Sequence, residues 1–230
     1  ADKSALASTL VNRPLDTEFV RQALADRADT RRAAIIGYSM GGYGALVSGG
    51  AGVSAGALRM EGAPRAELWQ HCLQPAVNPL KAIIPIGPWG RQRALWDAKG
   101  LAGLSVPMLL MAGSGDEISG YETGMRRIFD EAVNVPRHLL TFINAGHNAA
   151  APNPAPAESW APSPALDFVP FEHYADPVWD TARMNNIAQH FARAFLDQHL
   201  KGDVTKAAWL AGDFKGFAPG TSIGLRWESA

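Results

Sequence analysis

Short apolar runs bounded by glycine, proline and small polar residues alternate along this chain with stretches of helical period. Ala33-Ala34-Ile35-Ile36-Gly37, Lys81-Ala82-Ile83-Ile84-Pro85-Ile86-Gly87, Val106-Pro107-Met108-Leu109-Leu110-Met111-Ala112-Gly113 and His138-Leu139-Leu140-Thr141-Phe142-Ile143 read as four strands. Their continuous apolar character fits parallel strands buried on both faces. Between them the pattern predicts a helix over about 41–51, a helical patch over about 91–99 and a helix over about 120–133. Residues 1–12 are polar and weakly structured, and Pro14-Leu15-Asp16-Thr17 has the composition of a helix start. Asp16 is expected as the cap, and Phe19, Val20, Ala23 and Leu24 as the apolar face. A last helix over about 178–200 carries Ile187, Phe191, Phe195 and Leu196 on one stripe, and the tail from Ala207 to Trp227 is expected to add an edge hairpin. Residues 52–80 are rich in Gly, Ala and Pro, and predict a loop or short helices over the site. The low-complexity stretch Ala149 to Pro164 predicts an extended surface loop, within an Ala/Pro-rich insertion over 149–175. No internal repeat is visible, and residues 1–230 read as one α/β domain.

At 230 residues and 47% hydrophobic composition the chain can bury one sizeable core. A net charge of −1, with no basic run longer than Arg31-Arg32 or Arg126-Arg127, argues against a nucleic-acid partner. No stretch approaches the roughly 18 uninterrupted apolar residues of a membrane span. The single cysteine, Cys72, excludes an internal disulfide and has no neighbours that would activate a thiolate. It leaves the compartment open, whether bacterial periplasmic, secreted or cytoplasmic. His71 beside Cys72 lacks the further ligands of a metal site, and no metal or organic cofactor is implied.

Candidate chemistry centres on Gly37-Tyr38-Ser39-Met40-Gly41, which follows an apolar strand and opens a glycine-rich helix. This spelling fits the nucleophile elbow of a serine hydrolase. A strained turn projects the serine hydroxyl above the sheet, and a Cβ two residues before or after it is expected to collide with backbone. Gly42 and Gly44 are expected to let the helix start close against the strand. The helix N-terminus offers backbone N–H groups to developing negative charge, and the Met40 N–H is the one assignable oxyanion donor.

An elbow serine needs an acid and a base further along the chain. Ser114-Gly115-Asp116-Glu117 follows the third strand, and Asn144-Ala145-Gly146-His147-Asn148 follows the fourth. Chemistry in open α/β sheets collects at the carboxyl ends of strands, where Ser39, Asp116 and His147 all fall. His147 is the expected general base and Asp116 its orienting carboxylate, with Glu117 the neighbour most easily confused with it. The other histidines have plainer roles: His138 at a strand start, His173 in a loop, His190 and His199 on the last helix. Glu61 reads as a surface charge. Tyr38, Trp69, Trp89 and Trp160 can wall a pocket, and Tyr38 and Trp89 are the candidate substrate contacts.

At these residues the chain resembles the α/β-hydrolase superfamily, and within it the bacterial dienelactone-hydrolase-like esterases related to platelet-activating-factor acetylhydrolases. The resemblance spans most of the chain. It rests on Arg13-Pro14-Leu15-Asp16 with Phe19-Val20, on Gly37-Tyr38-Ser39-Met40-Gly41-Gly42-Tyr43, on Gly113-Ser114-Gly115-Asp116 and on Ala145-Gly146-His147. It also includes Ala192-Arg193-Ala194-Phe195-Leu196 and His199-Leu200-Lys201-Gly202-Asp203. It implies an α/β-hydrolase fold with a triad of Ser39, Asp116 and His147 that cleaves small-molecule carboxylic esters through an acyl-enzyme. Dienelactone hydrolases themselves use cysteine where this chain has Ser39, and the Ala/Pro insertion after His147 is a further departure. Hydrolases of this fold place several strands before the elbow, and the residues before Ser39 leave no room for them. The expectation is therefore the C-terminal portion of a mostly parallel doubly wound sheet, partnered by the N-terminal half of the same protein as a separate chain. Two alternatives stay open: a serine peptidase of the prolyl-oligopeptidase type, and a non-catalytic hydrolase-fold module that binds a ligand or partner.

Overall fold

A computed structural model describes residues 6–59, 63–65, 80–151 and 155–230. Five strands form one sheet in the order β1 (Ala33–Tyr38), β2 (Leu80–Ile86), β3 (Met108–Gly113), β4 (Arg137–Phe142) and β5 (Leu225–Ser229). The first four are parallel, with Tyr38 opposite Ile86 and Gly113 opposite Phe142, and β5 runs antiparallel to β4. Strands laid down in sequence order send their crossovers over one face, because parallel crossovers share one hand. Helices α1 (Leu6–Ala23), α2 (Met40–Ser48), α3 (Ala98–Leu101) and α4 (Arg127–Glu131, continuing a π-helical turn over Tyr121–Arg126) supply that layer. Leu10, Tyr43, Leu46, Leu101, Met125 and Ile128 pack there against Ile83, Met108 and Leu110.

The opposite face is covered by α5 (Thr181–Lys201), whose stripe of Ile187, Phe191 and Phe195 meets Ile84, Leu109 and Leu140. Asp180 caps α5 by accepting the Arg183 N–H, and Gly202 ends it in the left-handed conformation. Alternate residues of each central strand thus feed two cores, which explains the continuous apolar runs.

Four expectations are corrected. β1 pairs only with β2 among the described residues, so it is an edge strand, and Ile36 is 49% exposed. Helix α1 starts well before Pro14 and turns Leu10 and Pro14 inward, while Phe19, Val20 and Leu24 face solvent. Pro14 lacks the N–H that would bond the carbonyl of Leu10 four residues back. The Tyr43 hydroxyl of α2 donates to that carbonyl instead, at 2.9 Å. The tail makes no hairpin: a 3₁₀ turn over Val204–Trp209 leads to the single strand β5, held by backbone bonds between Arg137 and Ala230 in both directions. The Ala/Pro-rich insertion is not wholly irregular, holding 3₁₀ turns over Ala157–Trp160 and Pro170–His173. Glu61, Trp69, His71 and Cys72 lie outside the described residues.

Candidate active site

Ser39 sits between β1 and α2 with φ 52° and ψ −113°, a region that few residues other than glycine occupy. The turn is pinned by its own backbone. The Ser39 N–H donates to Ile86 O at 2.9 Å, and the Ser39 carbonyl accepts from the N–H groups of Tyr43 and Trp89, both at 3.1 Å. Glycine is required at two neighbouring positions. A Cβ on Gly37 would run into the Gly41 carbonyl, and one on Gly42 would lie 2.8 Å from Pro88. Gly41, two residues after the serine, faces open space, and Gly44 has ordinary room beside Arg13. The close packing expected at Gly41 and Gly44 is therefore carried by Gly42. Met40 opens α2, so its N–H is among those with no partner inside the helix.

The loops after β3 and β4 are locked together before they reach their side chains. Gly115 N–H donates to Ala145 O at 2.8 Å, and the Ser114 hydroxyl accepts the Asn144 N–H at 2.8 Å. The backbones run so close that a Cβ on Gly113 would strike the carbonyls of Ala145 and Gly146. Asp116 is buried to 3% exposure, whereas Glu117 beside it is exposed. Asp116 Oδ1 accepts the N–H groups of Ile118 and Ser119, both at 2.9 Å, which leaves Oδ2 aimed at His147.

Sequence-distant side chains meet here. His147 Nδ1 lies 2.9 Å from Asp116 Oδ2, and its Nε2 lies 2.9 Å from Ser39 Oγ. A carboxylate can only accept, so Nδ1 carries the proton and donates to Asp116. Nε2 is then the acceptor for the Ser39 hydroxyl. Gly87, at φ 48°, forms the floor. A Cβ there would stand 3.5 Å from Asp116 Oδ2 and from the His147 ring. The Ser119 hydroxyl, fully buried, donates to the Gly87 carbonyl at 3.0 Å.

Tyr38 and Trp89 both lie at this end of the sheet. The Tyr38 ring is tilted 39° to the His147 ring with centroids 5.2 Å apart. Its hydroxyl donates to Asn148 Oδ1 at 2.9 Å, so this donor is already engaged. Burial, with the Asp116 charge nearby, pushes the phenol up to about 12, which keeps it protonated. Trp89 is half-buried against the core, and its backbone holds the serine turn. Trp160 lies in the insertion, 62% exposed and stacked on Phe171 at 3.5 Å between centroids.

Sequence reasoning missed Asn148, Asp176, Ser119 and Gly87. Asn148 adjoins His147 and Gly87 ends an apolar run, but nothing local in the sequence says what they touch. Among the described residues no three His, Cys, Asp or Glu side chains gather as metal ligands, and no helix is long and apolar enough to cross a membrane. No protein-family model matches the chain, and no curated protein matches it.

Proposed function

We propose that this chain is a serine hydrolase of α/β-hydrolase type that cleaves carboxylic esters through an acyl-enzyme on Ser39. The observation that carries the reading is the relay of two 2.9 Å contacts, from Ser39 Oγ to His147 Nε2 and from His147 Nδ1 to Asp116 Oδ2. A serine hydroxyl is a weak nucleophile until a base takes its proton. Here an unprotonated Nε2 stands in hydrogen-bonding reach, and a buried carboxylate stabilises the imidazolium that forms.

In the first half-reaction Ser39 Oγ bonds to the ester carbonyl carbon as its proton passes to His147 Nε2. The oxyanion develops beside the Met40 N–H at the start of α2, where the helix dipole favours negative charge. Collapse breaks the bond to the alcohol oxygen, which leaves with the proton held on His147. In the second half His147 takes a proton from water and the hydroxide attacks the acyl carbon. Ser39 leaves with the proton returned, releasing the acid. The Tyr38 ring lies beside His147, and this aromatic wall favours a small acyl or aryl ester.

The test is a panel of p-nitrophenyl esters of graded acyl length, run on the complete polypeptide and on Ser39→Ala. Hydrolysis that falls in the variant on the order of 10³-fold or more in kcat supports the reading. Peptide cleavage without ester hydrolysis would move the assignment to a serine peptidase. Folded protein that is inert to both, and to a fluorophosphonate probe, would leave a binding module.

A further inference from the structure

His147 rides on a loop, and a loop alone does not hold an imidazole to within a few tenths of an ångström. Asp116 fixes the rotation of the ring, but not where the backbone carries it. The residues on either side of His147 are both tied to the segment 172–176, which lies far along the chain. Before it, the Gly146 N–H donates to Asp176 Oδ2 at 2.7 Å. Behind it, Asn148 Nδ2 donates to the carbonyls of Glu172 and Ala175, both at 2.8 Å. Asp176 is 9% exposed, and its Oδ1 accepts the N–H groups of Val178 and Trp179, both at 2.9 Å. The Trp179 indole donates to Ile143 O at 2.8 Å and sets its ring edge-on to Phe142, so the clamp is rooted at the end of β4.

Asn148 also reaches the other side of the site. Its Oδ1 accepts the hydroxyl of Tyr38, the residue before Ser39. A closed circuit results: Ser39 to Tyr38 by covalent bond, Tyr38 to Asn148 by hydrogen bond, Asn148 to His147 by covalent bond, His147 to Ser39 by hydrogen bond. Both donors and the acceptor of the Asn148 amide are used.

We propose that Asn148 and Asp176 are positioning residues that hold His147 in line with Ser39 by clamping its two chain neighbours to the segment 172–176. This rests on reading Ser39, His147 and Asp116 as the hydrolytic centre. Small misplacements of a catalytic group carry a disproportionate cost, on the order of 10²-fold for about 1 Å.

Asp176→Asn separates positioning from mere capping. The amide keeps one oxygen for the Val178 and Trp179 N–H groups but presents NH₂ to the Gly146 N–H. Asn148→Ala cuts both its carbonyl links and the Tyr38 link, and Tyr38→Phe removes only the last. For Asp176→Asn and Asn148→Ala, kcat on a p-nitrophenyl ester falls roughly 10- to 100-fold with KM within about threefold. The low-field proton resonance of His147 Nδ1–H broadens or disappears, and the acidic limb of the kcat/KM profile moves. Tyr38→Phe gives a smaller loss in the same direction, and it keeps the test decisive should the other variants fail to fold. Folded variants with unchanged kcat and an unchanged His147 resonance would overturn the clamp. Full activity in Ser39→Ala would instead overturn the hydrolytic reading, while the resonance would still report on the clamp.

Discussion

Asp116 and Glu117 are adjacent carboxylates in opposite surroundings, one buried under two backbone N–H groups and facing His147, the other in solvent. Asp116→Asn should therefore lower kcat by about 10³- to 10⁴-fold by inverting the tautomer preference of His147, while Glu117→Gln should stay within about twofold. Steady-state kinetics on one ester distinguishes them. The glycines separate in the same way. Gly37→Ala drives a methyl into the Gly41 carbonyl and should unfold the turn, whereas Gly41→Ala meets nothing within 4 Å. Thermal melts should show the first strongly destabilised and the second unchanged or slightly raised. Ser39, Asp116 and His147 were legible because each follows an apolar run, and strand ends are where such sheets gather chemistry. Asn148 and Asp176 were not, since the bonds that tie them to the His147 loop and to Tyr38 span 24 to 110 residues and leave no local signature.

At the scale of elements, α1 shows how periodicity misleads. Its proline has the character of a start signal, and Phe19, Val20, Ala23 and Leu24 have the spacing of a buried face. The inward residues are Leu10 and Pro14, because the carbonyl left without a partner by Pro14 is satisfied by Tyr43 from within the core. Tyr43→Phe should cost about 1–3 kcal/mol in denaturant unfolding by leaving that buried acceptor unpaired. Of the edge hairpin expected over Ala207 to Trp227, β5 alone forms, at the end of the tail. Leu225–Ser229 alternates too weakly to fix those bounds, and its place is set by β4 and by Trp227, which stacks on His138 at 4.9 Å. Burial, reinforced by His199, depresses the His138 imidazole from 6.5 to about 4. The unfolded chain then binds more protons between those values, so the His138 contribution is complete above about pH 6.5 and is lost as pH falls towards 4. Unfolding midpoints should drop across that window, and the drop should be shallower in His138→Phe.

Across the whole molecule, strands ordered β1 to β4 bring three loops to one end of the sheet, and each carries one member of the relay. Alternation of helices and apolar runs foretold the parallel sheet, since only crossover connections join parallel neighbours. It did not foretell how exposed β1 would be, because burial depends on what lies beside a strand and not on its own apolar run. The most direct test of the account is intact-mass analysis of protein quenched during turnover of a slow p-nitrophenyl ester, followed by peptide mapping. One added acyl mass is expected on the peptide containing Ser39, absent in Ser39→Ala. Ester turnover with no acyl group on Ser39, or undiminished in the variant, would contradict it.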